Sequence, residues 1–125
     1  MAINSFRDLE VWQHGMDLVV LVHEVTRRLP SAEFDLRRQI RRAAVSIPAN
    51  VAEGWRRRSR PAYRYHVSIA LGSQAELDTE IEIARRIGCL SVPDCQRVSA
   101  LVARVGQMLS RLHVELREPH PRAVR

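Results

Sequence analysis

Lysine is absent from this chain: all 20 basic residues are arginine, set against 14 acidic ones. The arginine fork suits phosphate better than an ammonium point charge does. Codon usage in a GC-rich genome produces the same bias, so the missing lysine by itself says little about function. Aromatic residues are also scarce, at 5%, which leaves Val, Leu, Ile and Ala to build any core. The two cysteines, Cys89 and Cys95 in "GCLSVPDC", form neither a CxxC redox pair nor half of a zinc ribbon. Two free thiols in a reducing compartment are expected. No apolar run approaches the roughly 18 residues that span a bilayer, and "MAINSFRDLEVW" carries no signal-peptide hydrophobic region. The expected location is the cytoplasm.

Catalytic and cofactor motifs are missing too. There is no HExxH, Walker loop, GxGxxG or GxSxG. A di-metal bundle site needs Glu three residues before His, and none of His14, His23, His66, His113 and His120 has one. A non-enzyme without metal or cofactor is the expectation.

What remains is helix. Nothing alternates like a strand over a useful length, and four segments of helical period are separated by short breaks. The first runs from about Phe6 or Leu9 to Leu29, capped by Ser5 or Asp8, with an apolar stripe of Leu9, Trp12, Met16, Val19, Val20 and Val22. The second places Leu36, Ile40, Ala43, Ile47, Asn50 and Gly54 on one seam. That phase carries straight through Pro48, so one helix kinked at Pro48, from about Asp35 to Trp55, is predicted in spite of the cost of an interior proline. Ser59 and Pro61 announce the third, with Tyr63, Val67, Ala70, Gln74, Leu77, Ile81 and Ala84 as its seam and Gly88 as its stop. Ser91 and Asp94 resemble a capping box for the fourth, which continues to Leu116. Short connections make antiparallel neighbours, hence an all-α, up-down-up-down four-helix bundle. It forms one domain over residues 1–118, followed by a flexible tail at 119–125 that contains two prolines.

Two constellations stand out on this frame. The first is polar. If helices two and three turn near Arg58 and Ser59, Ser73 falls level with Ala44, Glu76 with Arg41, and Glu53 with Arg64. Ala43, Ala44, Ala49 and Ala52 then oppose Ala70, Gly72, Ser73 and Ala75, and such small residues permit close approach. Asn50, Glu53, Ser73, Glu76 and Arg41 or Arg42 are expected to form a network that fixes register; a catalytic pair of Glu53 and Glu76 is the sharper alternative. The second is basic. From Arg37 to Arg64 there are nine arginines and one acid, Glu53, so this segment holds +8 of a chain whose net charge is +6. In "WRRRSRPAYRY", Trp55, Tyr63 and Tyr65 interleave with Arg56, Arg57, Arg58, Arg60 and Arg64. Arginine neutralises phosphate and aromatic faces stack bases, which points to RNA or DNA. A solvated turn docking an acidic protein partner is the alternative. Arg37, Arg38, Arg41 and Arg42 are weaker candidates, because some are expected to pair with Glu76, Glu80 or Glu33.

Three stretches, "FRDLEVWQHGMDLV", "LRRQIRRAAVSIPANVAEGWRR" and "YHVSIALGSQAELDTEIEIARRIG", resemble the 23S rRNA intervening-sequence protein family. The matching residues of the motif are Arg41, Arg42, Pro48, Asn50, Glu53, Gly54, Ser73 and Glu76; His66 departs from it, where an aromatic or large apolar residue is expected. The resemblance implies an antiparallel bundle assembled into a homopentamer and supplies no catalytic residues. A similar fold occurs in accessory proteins of diversity-generating retroelements, where a basic pentamer engages nucleic acid and a reverse transcriptase.

Overall fold

The computed structural model describes residues 2–117; the expected tail at 119–125 lies outside them. The described residues form four long helices: α1 (Glu10–Thr26), α2 (Phe34–Arg56), α3 (Arg60–Arg86) and α4 (Val92–Arg117). Short 3-10 turns at Phe6–Asp8 and Ser31–Glu33 precede α1 and α2. Each helix packs on its neighbours in sequence, and α1 closes the ring against α4. Cross-links between neighbours run in opposite sequence directions: Arg41 with His23 and Thr26, Asn50 with His66, Ser46 with Ser73, and Arg97 with Glu24. The bundle is therefore antiparallel and up-down-up-down.

Local chemistry sets the ends of the elements. Ser5 and Asp8, alternatives in the sequence, act together as a capping box around the first 3-10 turn. Ser59 accepts from the backbone of Ala62 with Pro61 in the first turn of α3. At the other end of α3, Gly88 takes a φ of 77°. There the amides of Gly88 and Cys89 donate to the carbonyls of Arg85 and Ala84, the paired hydrogen bonds of a Schellman stop. Ser91 caps α4 by accepting from Asp94 N–H. The Asp94 carboxylate takes a 2.6 Å bond from Arg28, just past the end of α1, which holds it below the usual carboxylate range.

Pro48 does not break α2, which is continuous from Phe34 to Arg56. Its ring is buried against Gly15 of α1, where a Cβ would sit 3.4 Å from the Pro48 Cβ. Packing of that ring offsets part of the cost of the missing hydrogen bond. The core is aliphatic throughout, led by Leu18, Ile40, Ile47, Leu77, Ile81 and Leu109.

Two phases differ from the sequence expectation. The inner stripe of α1 is Val11, Gly15, Leu18, Val22 and Val25, while Met16 and Val20 face outward. This helix is apolar on more than one side, so periodicity alone does not choose the buried one. In α2 the seam passes through Val51 rather than Asn50, which is half-buried beside α3. Of the small residues expected between α2 and α3, Ala43, Ala44, Ala70 and Ser73 are buried, whereas Ala49, Gly72 and Ala75 are exposed. Gln74 on the seam of α3 is accommodated by lying over Gly106 of α4 and donating to the Val102 carbonyl at 3.3 Å.

Candidate nucleic-acid interface

The arginines divide by the end of the bundle they occupy. Near the start of α2, Arg37 donates to the carbonyls of Thr26 and Leu29, and Arg41 to Thr26 Oγ1 and the His23 carbonyl. They satisfy the orphan acceptors where α1 ends and complement its dipole. This corrects the expected pairing of Arg41 with Glu76, since the C-terminal carbonyls of α1 offer acceptors closer by. Arg42 is exposed and Arg38 lies over the Phe34 ring.

At the opposite end α2 runs into α3. Arg56, Arg57 and Arg58 are all exposed there. Arg57 reaches Glu53 at 3.3 Å, a surface pair that contributes little. Arg56 lies over Phe6 at 5.8 Å and Arg58 over Trp55 at 5.6 Å from the ring centroids. The 3-10 turn before α1 adds Arg7, 5.0 Å from the Phe6 centroid. From α4 come Arg117 and His113; burial lowers the His113 imidazole, and the nearby charges of Arg64 and Arg117 lower it further. The basic surface is thus assembled from the first 3-10 turn, the end of α2 with the turn that follows it, and the end of α4, with Arg7 and Arg117 lying far outside the segment that the charge count singled out.

Three residues expected in this surface have other duties. Arg60 donates to the Glu115 carbonyl at 2.6 Å, tying α3 to the end of α4. Arg64 is half-buried, with Nε enclosed. Tyr63 packs beneath Gly54, where a Cβ would meet its Cδ1 at 3.0 Å. Burial pushes its phenol up to about 12, and the hydroxyl is enclosed, leaving Tyr63 half-buried in the α2–α3 contact. The open ring nearby is Tyr65, 62% exposed.

The polar network between α2 and α3 includes two residues absent from the sequence-based set, Ser46 and His66. Ser46 and Ser73 share a hydrogen bond of 2.7 Å. Asn50 Nδ2 donates to the Ser46 carbonyl and Oγ at 2.9 and 3.0 Å. Its Oδ1 is therefore an acceptor, and His66 donates to it from Nδ1 at 3.0 Å. His66 Nε2 then faces Glu53 Oε2 at 3.8 Å. Counting back from the turn sets His66 within a residue of Asn50, which was the available signal; the assumption of an apolar residue there concealed it. Glu76 stands apart from this network. It is exposed and bonds to Glu80 on its own helix, so Glu53 and Glu76 form no pair. Among the described residues no group of His, Cys, Asp and Glu is placed to hold a metal ion.

Closed antiparallel helices define a four-helix bundle, with a cluster of exposed arginines at the end where α2 meets α3. The family model of the 23S rRNA-intervening sequence protein matches residues 7–111, and the chain belongs to that family. A crystal structure from Bacteroides thetaiotaomicron, a protein of unknown function from the S23 ribosomal protein family, shares the fold with a TM-score of 0.78. It is 21% identical, with 82% of this chain and 97% of that one covered. No curated protein matches.

Proposed function

We propose that this chain is a non-enzymatic nucleic-acid-binding protein of the cytoplasm, directed at RNA, whose basic bundle end contacts the phosphate backbone. The observation that carries this reading is the division of the arginines. Arg37 and Arg41 at the start of α2 are consumed by acceptors at the end of α1, whereas Arg56, Arg57 and Arg58 stand exposed at three consecutive positions where α2 ends, Arg56 and Arg58 lying over rings. Such contacts position a backbone and read little sequence. The same chain is proposed to act as a homo-oligomer, a pentamer by family resemblance, with the outward apolar side chains of α1 and α2 (Met16, Val20 and Val45) available to cover one another.

Titration of a labelled RNA at two salt concentrations tests the binding. Affinity should fall steeply with salt, and replacing Arg56, Arg57 and Arg58 with Ser should remove most of it. Absence of binding at low salt, or indifference to the triple substitution, would refute the reading.

A further inference from the structure

Guanidinium groups lie over rings four times at the basic end: Arg7 over both Phe6 and Trp12, Arg56 over Phe6, and Arg58 over Trp55. Arg56 and Arg58 are exposed and each meets a single ring, so a guanidinium with one face on that ring keeps its other face for a ligand. Tyr65 adds an open ring at the start of α3. Its ring lies 5.4 Å from that of His66 and nearly perpendicular to it, and His66 faces Glu53, the partner of Arg57, so Tyr65 neighbours the α2–α3 contact that leads to the basic turn. Arg58 is also held there against backbone preference. It follows the C-cap of α2 with a φ of 56°, the place and conformation that Gly88 supplies after α3 at 77°. Glycine would make the turn without strain, but it would take the guanidinium off Trp55.

We infer that this surface takes single-stranded nucleic acid in preference to duplex, with unpaired bases stacking on Tyr65 and on the outer faces of the ring-backed arginines; this rests on the nucleic-acid reading above. A surface that contacts phosphates alone favours duplex, because the denser charge releases more counterions for each phosphate neutralised. Bases inside a duplex are already stacked on each other and cannot reach Tyr65. Unpaired bases can, and each stacked base adds roughly five- to a hundred-fold in affinity.

Fluorescence anisotropy with the full chain separates the two. The probes are a labelled, unstructured single strand of about twenty nucleotides, long enough to cross such a surface, and the duplex made from it, both at one low salt concentration. The single strand should bind about fivefold or more tightly than the duplex. Tyr65→Ala should weaken single-strand binding by a similar factor, leave duplex binding within about twofold, and be rescued by Tyr65→Phe. Arg58→Gly should melt at a higher temperature than the parent and still bind the single strand less well, so its loss cannot be ascribed to poor folding. Duplex binding as tight as single-strand binding, or equal weakening of both by Tyr65→Ala, overturns the inference and leaves phosphate binding standing. Failure of both probes to bind overturns the two together.

Discussion

Arg58 sets two demands against each other at one position. Its left-handed backbone, φ 56°, costs about 1 kcal/mol relative to glycine, and its side chain lies on Trp55 in the basic surface. Arg58→Gly is therefore expected to gain roughly 0.5–1 kcal/mol of stability in a thermal melt while losing nucleic-acid affinity. Glu80 makes a different demand. It is 5% exposed, with Oε1 enclosed and unpartnered among the described residues. Burial, and then the hydrogen bond and charge of Glu76, push its carboxyl from 4.5 up to about 7. The folded state binds this proton more tightly than the unfolded chain does. The contribution of Glu80 is thus complete below the unfolded value and is lost as pH rises through the folded one. Glu80→Gln keeps the shape and removes the ionisation. Chemical denaturation should find it more stable than the parent at pH 8, by on the order of 1 kcal/mol, and close to the parent at pH 5; an equal difference at both pH values would contradict this account.

The four helices and most of their ends were legible in the sequence, because caps, first-turn prolines and Gly88 act through local geometry. Which face each helix buries was legible only where one stripe is apolar. The seam of α3 held for Val67, Ala70, Leu77, Ile81 and Ala84, all buried, but the outward Met16 and Val20 of α1 displaced the expected stripe. Pairing between elements was partly legible: Asn50 and Ser73 meet through Ser46, yet Arg41 turns to α1 because helix-end carbonyls compete with distant carboxylates. Gly54 tests how close α2 and α3 must come. Alanine is the better helix former by about 1 kcal/mol, but its Cβ would lie 2.7 Å from the His66 Cβ. Overpacking outweighs propensity at that distance, so Gly54→Ala should destabilise the bundle by about 1–3 kcal/mol in a urea titration. A neutral or stabilising result would mean that the two helices can move apart.

Across the whole molecule, the arginine cluster of the α2–α3 turn and the exposed aliphatic residues of α1 lie on different parts. The basic end points along the bundle axis, while Val20, 68% exposed, and Met16 lie on its flank. On the proposed function, nucleic acid and a second copy would then engage different parts of the bundle. Light scattering after nuclease treatment should show an oligomer, and Val20→Glu should reduce its mass toward 14.3 kDa, since a buried unpaired carboxylate opposes association. Five copies at +6 each would form a ring of roughly +30, so RNA affinity should depend more steeply on salt in the parent than in Val20→Glu. Equal salt slopes would show that the copies bind independently.

Helical period, caps and stop signals are short-range properties, and they were enough to specify four antiparallel helices and a helix that continues through Pro48. The family, too, could be read from the residues around "RRAAVSIPANVAEG". The fate of each polar group depends on which neighbours lie within hydrogen-bonding distance, and only the packed bundle settles that. Packing turned Arg37, Arg41 and Arg60 into helix caps, partly buried Tyr63, joined His66 to Asn50, and brought Arg7 from the first turn to the basic end.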